Sequence, residues 1–421
     1  MENIDAATPA ITADAAVELI LSHIAPHGRS TLVDTANCCG HIAAQPVSAR
    51  LDVPPFSNSA MDGYALAYDA NAHASAEREE IELLEIGVSL AGHPFEKTVK
   101  AGECVRITTG AMLPAGSDTV VIEEDTRRQQ REQETLIRLH QYPDKGDFVR
   151  APGSNISLDQ PLCAPGDTIS AALAGLFAAS GVAELKVAAP LTVALMSTGD
   201  ELKNPGQALD NGQIYDANRY FLQSLLKSPN INIIDLGIVA DDKSALLAAL
   251  DQARTADVLI SSGGVSVGEA DHLKDVLQTS GSMHLWKVKM KPGKPLTFGV
   301  LGEDTVFFGL PGNPVSAMVT FCVFVVPALE KMLGKSRRSI QTLRAKNLNT
   351  LSKQAGRMEL QRGMLSFEGE EGAVVASTGN QDSHILASMA KANCFIKLPI
   401  ESTGSAEGEW VDVLPLEQFG L

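Results

Sequence analysis

The chain has 421 residues, more than one ordinary core accommodates, because domains settle near ~100 to 200 residues; several units are expected. With 44% hydrophobic and 20% charged residues the composition is that of a globular protein, not of a disordered or membrane one. A formal net charge of -17 repels a phosphate backbone over most of the surface, so no nucleic-acid partner is expected, and any anionic ligand needs a local site.

Cys38, Cys39, Cys104, Cys163, Cys322 and Cys394 form no CxxC pair and no dense framework, which fits a reduced, cytoplasmic setting. The opening MENIDAATPAITADAAVELI has no basic region before its apolar residues and does not read as a secretory signal. Residues 315–329, the most apolar stretch, fall short of the roughly 18 that suggest a membrane span and contain Ser316, Thr320 and Pro327. They read as a core helix, and no membrane partner is expected.

In chain order, Thr12 or Asp14 caps an apolar-periodic stretch through Ala16, Leu19, Ile20 and Ile24, a surface or interface helix. Residues 51–145 carry short strand-like runs (YALAY, ECVRITTG, DTVVIEED, ETLIRLH) between Gly, Pro and charged turns, a β-rich unit. Within it residues 125–134 are almost all charged or amide and read as a solvated turn. SAALAGLFAASG then predicts a helix ending at Gly181 and returns the chain to its first unit, which makes the β-rich unit an insertion. Residues 190–336 alternate strand and helix as a doubly wound α/β domain, and residues 337–421 read as a C-terminal β-barrel or sandwich. The expected division is 1–50 with 146–189, 51–145, 190–336 and 337–421.

In open α/β sheets ligands bind beyond the carboxyl ends of the parallel strands, and four loops fall there. STGDEL brings Asp200 and Glu201, and the loop after INIIDLGIV brings Asp241 and Asp242. The run SSGGVSVGEAD places Gly263, Gly264, Ser266 and Gly268 where backbone N–H groups can turn toward an anion, ahead of a helix start near Asp271. The fourth loop, PGNPVSAM, has Asn313 suited to a helix cap and Pro314 to the first helical position, and Pro311 stiffens its approach. Between the last two, KVKMKPGKP supplies Lys287, Lys289, Lys291 and Lys294, with strand alternation putting the first three on one face. The lysines fit either an anion site or a solvated strand edge. Glu201, Asp241 and Asp271 beside a phosphate call for a cation, and Mg²⁺ suits such oxygen ligands; helix capping or simple solvation is the alternative for each acid.

PPFSNSAMDGYAL, RITTGAMLPAGSDTVV, STGDEL, SSGGVSVGEAD, KPGKP, LPGNPVSA and SHILASMAKANCF, taken in order, resemble the molybdopterin molybdenumtransferases, MoeA in bacteria and the E domain of gephyrin in animals. The resemblance runs nearly end to end. It implies a four-part, elongated subunit in a homodimer, with an inserted β-rich domain, a doubly wound α/β molybdopterin-binding domain and a C-terminal β-barrel. Adenylated molybdopterin and molybdate would be substrates, with Mg²⁺-dependent release of AMP, and other proteins of molybdenum cofactor biosynthesis would be partners. Carried over, Glu201, Asp241 and Asp271 would serve metal and pterin; Lys287, Lys291 and Lys294 would hold phosphate or molybdate; Pro311 and Pro314 would shape the wall. Asp62 and Thr109 would reach across the dimer, with Arg362 and Ser383 as further candidates from the C-terminal unit. One departure is RAPGSNI, where Gly153, Ser154 and Asn155 stand in place of the family's acidic Gly-Glu-Asp, so a carboxylate role at Asn155 is not expected. Competing readings are a molybdopterin adenylyltransferase, against which the flanking domains speak, and a non-catalytic pterin-binding scaffold, against which Glu201, Asp241 and Asp271 speak.

Overall fold

The structure, a computed structural model, describes residues 10–75, 81–263, 273, 281–302, 304–336, 340–368 and 372–420. The first helix, Ala13–Ser22, starts where the Thr12 hydroxyl accepts from the Ala15 N–H at 3.2 Å, and it buries Ala13, Ala16, Ile20 and Leu21. Its other face is exposed, as the amphipathic pattern requires. The buried face packs into the same core as the α/β sheet, because Ile11 is bridged to Val288 and delivers the helix there. This is the interface form of the surface-or-interface reading.

Ser30–Asp34 then pairs antiparallel with Glu184–Ala188, and Val47–Ser48 with Pro161–Cys163, around a small core containing Cys38, Val47, Cys163, Phe177 and Val187. Helix Ala171–Ala179 lies against this core, and Gly181 follows it at φ +78°, a left-handed position that glycine adopts without steric cost. Between these pairings runs a six-stranded sheet ordered Thr119–Ile122, Gly63–Leu66, Glu103–Ile107, Glu82–Ser89, Glu134–Leu139, Thr126–Arg131. The charged run read as a turn is therefore mostly its edge strand. Charge suits an edge because it discourages pairing with another chain, and Arg128 finds the Glu85 carboxylate with both Nε (2.8 Å) and a terminal nitrogen (3.0 Å).

The α/β sheet runs Ile231–Val239, Leu191–Thr198, Val258–Ser262, Thr305–Leu310, Pro295–Leu301, Gly281–Lys287; the first four pair in parallel, and Pro295–Leu301 runs antiparallel to both its neighbours. The strand Pro295–Leu301 was passed over in the sequence, although its LTFGVL run is apolar and of strand length. Strand order reverses beside Leu191–Thr198, which makes the gap toward Val258–Ser262 the place where a ligand crevice opens. The apolar stretch forms one helical run, Pro314–Met332, with a π-helical segment at Phe321–Val325. It is longer than its apolar sequence suggests, and it is the one helix among the described residues long and apolar enough to cross a membrane. Here it is mostly buried in the main core with Leu195, Phe298 and Phe308.

Beyond it Met358–Glu368, Gly372–Ser377, Leu343–Asn347, Trp410–Pro415 and Cys394–Leu398 pair in sequence, and the last returns to Met358–Glu368, closing a five-stranded barrel. A short strand of the α/β unit, Met290–Lys291, pairs in parallel with Met358–Glu359 at the barrel. Because Phe308 is fully buried in a central parallel strand, Phe308→Ala should destabilise the α/β unit by about 3–5 kcal/mol, read as a lower denaturant midpoint; a change under ~1 kcal/mol would contradict the packing.

Candidate active site

A cleft of about 980 Å³ opens at the carboxyl ends of the parallel strands, and the barrel supplies its opposite wall. Two glycines let the strand ends approach. A Cβ on Gly263 (φ +88°) would lie 2.5 Å from the Thr198 carbonyl oxygen, and one on Gly199 would lie 2.6 Å from a Glu201 carboxylate oxygen, so that carboxylate folds back over the Gly199 backbone.

Of the residues singled out from sequence, Glu201, Asp241 and Gly263 line the cleft on the sheet side, and Pro311 and Pro314 on the side of the long helix. Lys291 and Lys294 line it next to the barrel. Asp242 instead caps helix Lys243–Gln252, its Oδ1 accepting from the N–H groups of Ser244 (2.9 Å) and Ala245 (3.0 Å), which leaves Asp241 as the acid of that pair at the cleft. Gly264, Ser266, Gly268 and Asp271 lie outside the described residues. Lys287, Lys289 and Lys291 are all exposed while Val288 and Met290 are buried, as strand alternation requires, but Lys287 does not line the cleft. Ser383 does, and its carbonyl accepts from the Val315 N–H at 3.1 Å, docking the barrel on the first turn of the long helix.

Asp62 and Thr109 meet, but away from this cleft. A single Asp62 oxygen accepts from the Thr109 N–H (2.6 Å) and hydroxyl (2.9 Å). These bonds, with Arg106 nearby, hold the Asp62 carboxyl below the usual carboxylate range. Arg362 does not reach the cleft either. It is fully buried, burial lowers its pKa, and its guanidinium donates to the carbonyls of Asn380, Gln381 and Asp382 and to the Ser388 hydroxyl. Its effect on the site is to pin the strap that carries Asp382, Ser383 and His384 to the cleft wall.

Sequence reasoning passed over Arg357, His384, Tyr215, Asp216 and Asn218, which also line the cleft. For Asp216 and Asn218 a signal existed in the YDAN run that follows Ile214 and opens a helix; Arg357 sits in a barrel turn whose sequence carries no mark of it.

Among the described residues, Asp241 Oδ1 and Thr198 Oγ1 at the cleft are buried without a hydrogen-bond partner. Among the described residues no group of three His, Cys, Asp or Glu side chains converges as a metal cage. A carboxylate oxygen awaiting a partner, a second carboxylate on Glu201 and few other ligands fit a hard cation that takes most of its oxygens from water and phosphate, as Mg²⁺ does.

Comparison with known proteins accounts for nearly the whole chain. Residues 11–181 match the MoeA N-terminal region (domain I and II), residues 194–331 a probable molybdopterin binding domain, and residues 344–416 the MoeA C-terminal region (domain IV). The molybdopterin molybdenumtransferase of Haemophilus influenzae is 36% identical over 415 residues, covering 97% of this chain and 99% of the relative. This chain belongs to the molybdopterin molybdenumtransferase family. It is a transferase of molybdenum cofactor biosynthesis that acts in molybdenum insertion. The Nostoc molybdopterin molybdenumtransferase is 35% identical over 91% of this chain and 88% of its own length. The crystal structure of the molybdopterin biosynthesis MoeA protein of Pyrococcus horikoshii superimposes with a TM-score of 0.79 at 29% identity, over 97% of this chain and 99% of that one.

The Asp62–Thr109 contact carries a pH prediction for this transferase. Because the folded pKa of Asp62 is depressed, the stabilisation it contributes is present above the ordinary carboxylate pKa and is lost as pH falls through the folded value. Thr109→Val removes the hydroxyl donor and keeps the N–H, so the Asp62 carboxyl resonance should titrate at higher pH than in the parent protein. An unchanged midpoint would rule out the hydroxyl as a cause.

Proposed function

We propose that the protein works in the cytoplasm as a homodimer, takes adenylated molybdopterin and molybdate as substrates, requires Mg²⁺, and releases AMP as molybdenum enters the pterin. The observation that carries this reading is the pairing, in one crevice, of cations (Lys291, Lys294, Arg357) with carboxylates (Glu201, Asp241) in a chain of net charge -17. Such a crevice serves an anion that arrives with, or meets, a cation.

Glu201 and Asp241 would hold Mg²⁺, with Asp271 as a third candidate. When bound, the ion supplies charge neutralisation at the phosphate oxygens of the adenylate linkage. The protein's own part is binding and orientation. Lys291, tethered by the buried Glu359 carboxylate at 3.2 Å, presents a fixed ammonium toward an oxyanion, and Lys294 and Arg357 add charge on the same side. Pro311 and Pro314 hold a stiff wall at the start of the long helix.

Homodimerisation draws support from the β-rich unit. Met61, next to Asp62, is 41% exposed, and Met112, three residues after Thr109, is 44% exposed; exposed apolar side chains so close in sequence to this contact suit burial by a second copy of the chain.

The test follows AMP and molybdenum-loaded pterin from adenylated molybdopterin, molybdate and Mg²⁺. AMP release should stop on chelation and return with Mg²⁺. Asp241→Asn and Lys291→Met should each lower turnover by roughly 10²-fold with the fold intact, and Asp271→Ala should do the same. Formation of adenylated pterin from ATP, without release of AMP from that compound, would overturn the proposal in favour of an adenylyltransferase.

A further inference from the structure

We propose that Asn218 is the positioning residue that sets the width of the cleft mouth, and through it the seat of the phosphate-bearing half of the substrate; this rests on the reading of the cleft as the site of adenylated molybdopterin. The parallel ladder between Val258–Ser262 and Thr305–Leu310 ends at the Ser262–Leu310 pair, with the Gly263 N–H donating to the Leu310 carbonyl at 3.1 Å as its last rung. Past that rung the two chains part. One turns at Gly263, and the other runs through Pro311 and Gly312 into the helix that starts at Pro314. A crevice opened in this way leaves the Gly312 carbonyl without a neighbouring strand, close to the buried Ser262 hydroxyl.

Asn218 fills the fork. It is 8% exposed, and its Nδ2 donates one hydrogen to Ser262 Oγ and the other to the Gly312 carbonyl, each at 2.8 Å. A planar amide with both hydrogens committed is a spacer of fixed length between the strand end and the proline turn. Its own base is tied back to the sheet. Asn218 is the first residue of helix Asn218–Leu225, and the buried Asp216 just before it accepts from the Arg219 N–H and Nε, both at 3.1 Å. Arg219 in turn reaches Asp235 on the neighbouring strand at 2.6 Å.

The chemistry of the fork selects asparagine. Aspartate has the same shape but no hydrogen for the Gly312 carbonyl, and it would add a charge beside Glu201, Asp216 and Asp241, which line the same cleft. Because Lys291, Lys294 and Arg357 stand on the barrel side, disturbing the fork should move the seat on the sheet side and spare the oxyanion side.

The experiment uses the full chain with Asn218→Asp, Asn218→Ser and a control, Thr35→Val, which deletes a buried hydrogen bond to the Val182 carbonyl in the N-terminal unit. Asn218→Asp should raise the KM for adenylated molybdopterin about tenfold or more, leave that for molybdate within about twofold, and Asn218→Ser should fall between it and the parent. Backbone hydrogen exchange, read without substrate, should quicken at residues 262–263 and 312–316 in both Asn218 variants and in neither region in Thr35→Val. Parent-like exchange there, or equal losses for both substrates that merely follow thermal stability as in the control, would overturn the assignment. If the parent protein itself fails to turn over adenylated molybdopterin, the proposed function falls, and the exchange pattern still decides whether Asn218 holds the fork.

Discussion

The parallel pairing of Met290–Lys291 with Met358–Glu359 is the seam on which the cleft depends. It fixes the mouth of the α/β sheet against a barrel that also shares the main core through Leu360, Phe395 and Phe419. With it, Lys291 is held between two units, its backbone in the barrel sheet and its ammonium against Glu359. The Ser383 carbonyl on the Val315 N–H makes a second tie, and Arg362 keeps the strap carrying Ser383 in place from below. Each tie is a backbone or buried polar contact, the kind that is costly to leave unmade, so the two walls are fixed relative to each other by more than apolar packing.

Charge is organised on the same plan. An overall excess of acid would repel anionic substrates at long range, and the described cations of the cleft answer this locally on its barrel side. The acids at the strand ends face them across the cleft. Such a division lets one crevice accept an anion and a cation together without burying an uncompensated charge.

How far the sequence disclosed this depends on the kind of interaction. Strands with continuous apolar runs, such as Leu191–Thr198 and Val258–Ser262, and the loops following them were legible, because in a parallel sheet buried on both faces the pattern follows directly from burial. The edge strand Thr126–Arg131 was not, since its charges answer to an edge position that only the assembled sheet defines. At the site, Glu201, Asp241, Lys291 and Lys294 were found from their loops, whereas Arg357 and His384 arrive from the barrel through a tertiary approach that spacing does not encode. Arg362 shows the opposite case: family resemblance offered it as a site candidate, but burial gives it the task of holding a strap and keeps it out of the cleft.

The helix Pro314–Met332 has a consequence for how the molecule comes into being. In synthesis it emerges after Ala13–Ser22 and the first parallel strands, which supply part of its apolar surroundings, and before the barrel residues that supply the rest. The barrel strands come last. They bring Leu360, Phe395 and Leu414 into the main core as well as the second wall of the crevice, so the same late strands that close the barrel also finish the core, and binding competence and full core packing arrive together.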